Sequence, residues 1–565
     1  MEKSEISEHL QGSRGIVDGN LYATMNGVNS LSIEKTNHSI SRGHIKVIVV
    51  GAGVAGITQA ATLLDDKTIT TKEMVVFDVL DGFGGVWEKN RYPGCACDVP
   101  ALMYSSRMMI NTEYTHTYAT RDQIQTFYER MARHYGVDRC TQFRTFVNSC
   151  RWDDQSFVWH VQTENQNSGN LEHWTADVVI HAIGNLDRPK FGGIPGLEDY
   201  QGLYWHTSAW NSDVDLTNKR VAVVGCGPSS AQIIPEIVDK VEHLTVYMRT
   251  PPMVLPREDF KHSDTFMWCM RHLPLFAIAV RFIEIMKGYI FGQLLVTEGS
   301  WLNESFTKKG HDFLEQQVKE PELRDILRPD FKFLCKRPLF LNTFYPSLMK
   351  SNCTLAKEKI VRYTKTGIIS LDRITNEENK RDFDVIIIGT GFNAAQFLEH
   401  ERVTGRNGID LQEQWKEYPS SIYGVATSNF PNFFYCNGPN ANTFSSNIHD
   451  INELASKFIS MLVREIFRRN KLGLKFAMMP EPQFEDVYNK EIQWKLRNVV
   501  MQNPNCGNST VKDQNNHNTV LHHRHILVMK WRLRSINWKE WIALQAPPGE
   551  KQSPVTKAFL NQRSV

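Results

Sequence analysis

Two glycine-rich turns are the places where this sequence could hold phosphate. In the first, Gly51, Gly53 and Gly56 follow the apolar run Lys46–Val50 and precede a stretch of helical composition, Ile57–Leu64. Each glycine serves a separate physical purpose. Gly51 permits a tight turn, Gly53 lets a pyrophosphate approach the backbone, and Gly56 lets helix and strand pack closely, while the helix N-terminus faces the anion. A second apolar run, Met74–Phe77, ends in Asp78, whose carboxylate can accept hydrogen bonds from ribose hydroxyls. Together these residues predict a dinucleotide site.

The second turn follows Val221–Val224 and reads Gly225-Cys226-Gly227-Pro228-Ser229-Ser230-Ala231-Gln232. Ser230 stands where a third glycine is usual, a small side chain that still permits fairly close packing. The next strand, Leu244–Met248, ends in Arg249 and Thr250 rather than an acid. A cation there suits a 2′-phosphate that a carboxylate would repel, which selects NADPH over NADH. A third apolar strand, Asp384–Ile388, runs into Gly389-Thr390-Gly391, and Val178–Gly184 reads as its counterpart. The two runs resemble the places where two-dinucleotide flavoproteins leave and re-enter their first nucleotide domain, a resemblance that implies insertion of the second domain into the first.

The remaining composition sets bounds. The chain has 565 residues, 41% hydrophobic and 22% charged, enough to bury a large core. A net charge of +2 gives no general nucleic-acid-binding character. Ten cysteines include no Cys-x-x-Cys pair, and Cys95 and Cys97 are too close for the usual zinc spacings, so no metal site is expected. A reduced, cytoplasmic protein with free thiols is expected. Residues 1–43 are polar and aperiodic and read as a flexible tail; the first fifteen lack the apolar core of a secretory signal. Leu275–Val296 is long enough to span a bilayer, but Arg281, Glu284 and Lys287 interrupt it. Spaced three apart, these charges share one side of a helix, so the segment reads as amphipathic, packed on the protein or in weak contact with a membrane surface.

Beyond these motifs the sequence resembles the single-chain, FAD- and NADPH-dependent Baeyer–Villiger monooxygenases, from about residue 44 to about 545. The diagnostic segment is Tyr200-x-Gly202-x-x-x-His206-Thr207-x-x-Trp210, ahead of the second turn; the family usually has Phe at Tyr200 and Pro or Asp at Asn211. Trp210 separates this branch from N- and S-oxygenating relatives, which tend to have Tyr or Phe there. Gly84–Trp87 and Asn90–Asp98 resemble the flavin-side loop, Cys335-Lys336-Arg337-Pro338 the segment with the catalytic arginine, and Phe433–Asn447 the loop near the flavin ring. The CKRP segment and the closing region, Asn505 to Trp541, look closest to fungal enzymes of specialised metabolism, although Ser509-Thr510-Val511 replaces a usual aromatic pair.

The resemblance implies an α/β fold with two Rossmann-like domains: an FAD domain at 44–215 and 380–565, and an inserted NADPH domain at 216–379 carrying a mostly helical insert near 260–330. It implies FAD contacts at Gly51, Gly53, Gly56, Asp78, Gly85, Val86, Trp87, Ala96, Cys97, Asp98, Tyr104, Val147 and Ile448. It implies NADPH contacts from Cys226 through Gln232 and at Arg249, Thr250, Lys336 and Arg337. Arg337 is implied as the catalytic cation and Asp98 as the acid that orients it, with His206 coupling domains rather than moving protons. The implied reaction consumes O2 and NADPH and inserts one oxygen beside the carbonyl of a small hydrophobic ketone, giving an ester or lactone. Two alternatives remain: the same architecture oxygenating nitrogen or sulfur, epoxidising or hydroxylating, and a flavin-binding interaction protein with little turnover.

Overall fold

A computed structural model describes residues 39–545 apart from 374, 399, 400, 474, 508, 509 and 514. The strands that build the two large sheets are β1 (Ser39–Val50), β2 (Met74–Phe77), β3 (Thr141–Gln142), β4 (Thr145–Asp153), β5 (Val158–Asn165), β6 (Leu171–His181), β7 (Leu203–His206), β8 (Arg220–Val224), β9 (His243–Tyr247), β10 (Cys353–Ala356), β11 (Val385–Ile388), β12 (Arg402–Thr404) and β13 (Phe433–Tyr435). The helices used below are α1 (Val54–Asp65), α2 (Pro228–Ile237), α3 (Asp264–His272), α4 (Pro274–Val296), α5 (Trp301–Gln317), α6 (Pro321–Leu327), α7 (Ile448–Asn470) and α8 (Ile526–Arg532).

The first sheet has the order β12-β4-β5-β6-β1-β2-β3, with β13 also paired to β6. Its centre is parallel: β1 lies between β2 and β6, and Val47 to Val50 are buried on both faces. Strands covered on both faces read as unbroken apolar runs, which is why this segment shows no polar alternation. β4, β5 and β6 pair antiparallel and alternate instead, as the buried Trp152, Trp159 and Val161 illustrate. β1 begins at Ser39, so residues 39–43, expected to belong to a tail, are part of the sheet; the rest of that expected tail lies outside the described residues.

The second sheet is parallel, in the order β10-β9-β8-β11-β7. The sequence places the domain limits at 215/216 and 379/380. β7 and β11 fall on the first-domain side of those limits, yet they pair with each other and β11 pairs with β8. The apolar run Val385–Ile388 fits the centre of either sheet; its register with Val221–Val224 decides the matter. Helices α3 to α6 occupy residues 264–327, between β9 and β10.

Helix α4 separates the three charges expected on one side: Lys287 is exposed, while Arg281 is buried among Ala277, Ile285, Tyr289 and Val296. Arg281 points inward: it is 6% exposed, and its Nε and Nη2 donate to the Ser105 carbonyl at 3.2 and 2.8 Å. Leu275, Ile278, Phe282, Ile283 and Ile290 point outward, with Leu275 82% and Phe282 62% exposed. The buried face is set by close backbone approach: a Cβ on Gly292 would meet the Phe444 carbonyl, and one on Gly288 the Met103 side chain. No helix among the described residues is long and apolar enough to cross a membrane.

Candidate active site

The first glycine turn, between β1 and α1, opens onto a cleft of about 640 Å³ lined by Gly51, Gly53, Asp78, Gly85, Val86 and Val147. Gly51 has φ +105°, and a Cβ there would lie 2.9 Å from the Ala182 carbonyl oxygen. Gly53 faces Gly85 across a β-bridge-like approach; a Cβ on Gly85, whose φ is +59°, would stand 2.9 Å from the Gly53 Cα. Only glycine fits at Gly51 and Gly85, and the bare backbone there and at Gly53 is what a pyrophosphate needs. Asp78 accepts from Ala52 N–H at 2.5 Å and Leu80 N–H at 2.8 Å, leaving lone pairs on both carboxylate oxygens for hydroxyl donors. Burial pushes this carboxyl up to about 6, against the pull of those N–H groups.

The flavin-side loop closes the cleft. Gly85 begins a helical turn, Val86–Lys89. Trp87 Nε1 donates to Tyr104 Oη at 2.9 Å, and Tyr104 meets His449 edge-on at 4.5 Å, next to Ile448 at the start of α7. Gln125, missed by the motif reading, fixes the loop from behind through a 2.5 Å bond from its Nε2 to the Phe83 carbonyl. Arg121, likewise missed, donates from Nε to the Trp87 carbonyl at 2.5 Å.

The second turn, between β8 and α2, repeats the first with one exchange. Gly225 has φ +104°, and a Cβ there would run into the Gly389 carbonyl, as one on Gly51 would into Ala182. Ser230 is 1% exposed and lies directly against Gly389, where no side chain stands. Cys226, Gly227, Pro228, Ser229, Ala231 and Gln232 form the turn and the first half of α2, whose capping residue is Gly227. Gln232 binds this helix to the flavin-side loop: its Nε2 donates to the Ala96 carbonyl at 3.0 Å, and its Oε1 accepts from Tyr92 Oη at 3.0 Å. Beyond β9, Arg249 is exposed and Thr250 half-buried. Lys336 lies close enough to Arg249 for that charge, added to burial, to lower its ammonium below the usual range. Two cations held together favour a multiply charged anion between them.

Arg337 and Asp98 meet at the end of the flavin-side loop, which Gln232 ties to α2 through the Ala96 carbonyl. Arg337 Nε donates to Asp98 Oδ2 and Nη2 to Oδ1, both at 2.6 Å, a bidentate fork. Burial alone would raise the Asp98 carboxyl, but Arg337 outweighs it and holds the carboxyl below the usual range, with Arg257 adding to the effect. The Asp98 charge raises the Arg337 guanidinium above its usual range. The Arg337 side chain is 61% exposed, so the fork turns one face to open space rather than to packed protein. Beside it, Cys97 is buried and its thiol is pushed up to about 12, which makes it a spacer and not a nucleophile.

The expectation of ten free thiols is corrected here. Cys335 forms a disulfide with Cys506 across 171 residues, which ties the Lys336-Arg337 segment to the closing region. Both cysteines are buried among Met253, Leu255 and Phe333.

The segment 200–210 joins the two sheets. The Tyr200 ring covers Gly202, and Tyr200 Oη donates to the Phe383 carbonyl at 2.8 Å. His206 Nδ1 accepts from Ser208 N–H at 3.2 Å, which leaves Nε2–H to donate to the Gly391 carbonyl at 3.1 Å. Burial lowers its imidazole to about 4, so His206 stays neutral and clamps the turn after β11. Trp210 packs edge-on against Trp205 at 5.6 Å and does not reach the Arg337 fork through any hydrogen bond found among the described residues.

Residues 44–412 match the flavin-binding monooxygenase-like family. The FAD-binding monooxygenase BOA2 of Botryotinia fuckeliana is 34% identical over 82% of this chain and 88% of its own length. A Baeyer–Villiger monooxygenase of Pseudomonas aeruginosa is 31% identical over 86% of this chain and 89% of its own. In fold, the chain superposes on the closed crystal structure of cyclohexanone monooxygenase with a TM-score of 0.76 at 23% identity, over 90% of this chain and all of that one. The OTEMO complex with FAD and NADP gives the same TM-score at 23% identity over 88% of this chain and 99% of that one. The glycine cradle at Gly51, Gly53 and Gly85 and the paired cations at Arg249 and Lys336 fit the two nucleotides such enzymes use. The chain therefore belongs to the flavin-binding monooxygenase-like family, among its Baeyer–Villiger relatives, and is an FAD-dependent monooxygenase that draws on NADPH.

Proposed function

We propose that this enzyme inserts one oxygen atom from O2 beside the carbonyl of a hydrophobic ketone, giving an ester or lactone, and that Arg337 is the catalytic cation. The observation that carries the reading is the bidentate Arg337–Asp98 fork, open on one face, on the flavin-side loop that Gln232 ties to α2. Bound FAD and NADPH supply the electrons for oxygen activation. A guanidinium fixed in advance stabilises oxyanion charge as it develops beside the carbonyl and keeps its own charge throughout. Asp98 positions that guanidinium, and Gln232 holds the loop bearing Asp98 against the NADPH helix α2. Gly51, Gly53 and Gly85 receive the FAD pyrophosphate, Asp78 its ribose, and Arg249 with Lys336 the NADPH 2′-phosphate. In this reading the NADPH unit comprises the second sheet, from β7 to β11, and helices α3 to α6.

A hydrophobic substrate is favoured by the apolar character of α4, whose inner side rests on Met103 and Phe444 while its outer side exposes further apolar residues; membrane-surface contact of residues 275–296 belongs to the same reading. The test is the purified yellow enzyme with NADPH, O2 and a panel of cyclic and linear ketones. Products heavier by one oxygen and hydrolysable as esters are expected. N- or S-oxides from amine and sulfide controls, with no ester from any ketone, would overturn the proposal.

A further inference from the structure

The apolar residues of α4 that face outward continue beyond that helix. Along α4 the exposed large apolar positions are Leu275, Ile278, Phe282, Ile283, Ile290, Phe291 and Leu294, which run about 29 Å along the helix at 1.5 Å per residue. Helix α8 adjoins it: Ile526 packs with Ile285 and Tyr289, and His525 Nε2 bonds the Tyr289 carbonyl at 2.8 Å. On α8, Leu527, Val528 and Trp531 are exposed in turn, with Trp531 62% exposed. Tryptophans also stand at both ends of α4: Trp268 on α3, 54% exposed, and Trp301 at the start of α5, 66% exposed. Single exposed apolar residues are ordinary, but a continuous two-helix face of this size needs a partner.

Charge identifies the partner. Between Asp513 and Glu540 the sequence holds Arg524, Lys530, Arg532, Arg534 and Lys539 and no carboxylate; Arg524 pairs with Glu491, Arg532 with Glu540 and Lys530 bonds Tyr289, which leaves Arg534 and Lys539 as the exposed cations of this segment. Arg534 stacks on exposed Trp531 at 4.9 Å, and Lys287, 60% exposed among the apolar positions of α4, is paired with Glu284 at 2.7 Å. His272 lies flat on Trp268 at 4.9 Å, beside Arg271, whose charge is met by Glu113 at 2.7 Å. Aliphatic side chains in the middle, tryptophans at the margin and cations around them match a lipid bilayer with anionic headgroups: acyl chains meet the aliphatics, the indoles sit at headgroup depth, and the cations meet phosphate and carboxylate.

We propose that helices α4 and α8 seat the enzyme on the surface of an anionic membrane, without crossing it, and that lipophilic ketone enters from the bilayer under α4. The second half rests on the ketone reading above. The inward side of α4 makes the route short, because Gly292 and Gly288 press on Phe444 and Met103, and Met103 adjoins Tyr104 of the flavin-side loop. Arg281, buried against the Ser105 carbonyl and 3.8 Å from Asp450, anchors the helix so that its apolar side remains outward.

The test uses full-length holoenzyme and vesicles about 100 nm across, of phosphatidylcholine alone or with about one quarter phosphatidylserine, the anionic lipid that basic segments recognise. Flotation is expected with the mixed vesicles and at least about tenfold less with phosphatidylcholine alone. Phe282→Glu with Ile290→Glu should abolish flotation, and Arg534→Glu should weaken it, while yellow colour and turnover of a short water-soluble ketone stay within about twofold of wild type. Turnover of a long-chain ketone dissolved in the vesicles should fall about tenfold in the double variant. Quenching of wild-type tryptophan fluorescence by brominated lipid gives a reading that requires no variant. No flotation and no quenching with either vesicle would overturn the proposal. So would concentration-dependent dimers that the double variant dissolves, because the face would then join two copies. Flotation with no ketone turnover at all would sink the ketone reading and leave the membrane seat standing.

Discussion

Ser230 lies on Gly389 as Gly56 lies beside Ala182. In the first turn the glycine is on the helix and the side chain on the crossing strand end; in the second the serine is on the helix and the glycine on the strand end. The departure from the usual third glycine is thus matched from the other side. Gly389→Ala should overpack against the Ser230 hydroxyl and destabilise the NADPH sheet by about 1–3 kcal/mol. Ser230→Gly in the same chain should recover most of that loss, because the two residues fill one space. Thermal midpoints of the two single variants and the double variant check this; additive losses would show that the two positions are not coupled.

Arg249 and Lys336 should make the enzyme prefer NADPH strongly over NADH. Each lost charged hydrogen bond to the 2′-phosphate is worth about 1.5–3 kcal/mol, or roughly ten- to hundredfold. Arg249→Ala should raise the KM for NADPH by that factor and leave the KM for NADH nearly unchanged. Initial rates with both cofactors decide the point, and equal use of both by the wild type would remove the phosphate role from these cations.

The Cys335–Cys506 link gives a direct count. Denatured without reductant, the protein should titrate with eight thiols, those at 95, 97, 140, 150, 226, 269, 353 and 436, and with ten after reduction. Ten thiols before reduction would show the pair to be open.

What the sequence reveals here, and what it hides, follows from physics. The two cofactor turns are legible because a positive φ at Gly51 and Gly225, and a backbone that must approach phosphate, leave few alternatives to glycine. The Arg337–Asp98 pair is legible only through resemblance, since 239 residues separate its members and no local pattern joins them. Residues Val385–Ile388 are plainly an apolar strand, but nothing in four apolar residues names the sheet they enter; pairing with β8 does. Periodicity along α4 reveals two faces without saying which is inside. The usual rule, apolar in and charged out, fails at Arg281, which is buried because it finds the Ser105 carbonyl, and at the second apolar face, which stays exposed while Ile285, Tyr289 and Val296 are buried. Likewise the role of Gln125, which braces the flavin-side loop across 42 residues, carries no sequence signature.

His206 should make stability depend on pH. Its folded pKa, lowered by burial to about 4, lies below the value of about 6.5 expected in the unfolded chain. Between those values the unfolded state binds the extra proton, so the contribution is full above pH 6.5 and is lost as pH falls through about 4, up to roughly 3 kcal/mol in all. His206→Asn should lower the thermal midpoint at pH 7.5, and its deficit relative to wild type should shrink as the pH approaches 4.5. A deficit that stays constant over that range would mean that the neutral imidazole contributes nothing through its protonation state.

Arg337 should matter for oxygen transfer more than for folding or FAD retention. Its fork with Asp98 lies beyond the glycine cradle, and its open face leaves no packed core to collapse on truncation. Removing one preorganised donor typically costs roughly 10²–10³ in rate, about 2.7–4 kcal/mol. Arg337→Ala should therefore purify yellow, with a thermal midpoint near wild type, and form little ester or lactone; the NADPH it oxidises should appear mostly as hydrogen peroxide. Asp98→Ala is different in kind, because it leaves the cation in place without its anchor. That variant should chiefly slow flavin reduction by NADPH, since Lys336 and the second turn lose a fixed reference through the Asp98 loop and Gln232. Product formed per NADPH consumed, measured for both variants with a ketone the wild type accepts, separates the two roles. Near-wild-type yield from Arg337→Ala would remove the guanidinium from the chemical step and with it the strongest structural argument for oxygen insertion at a carbonyl.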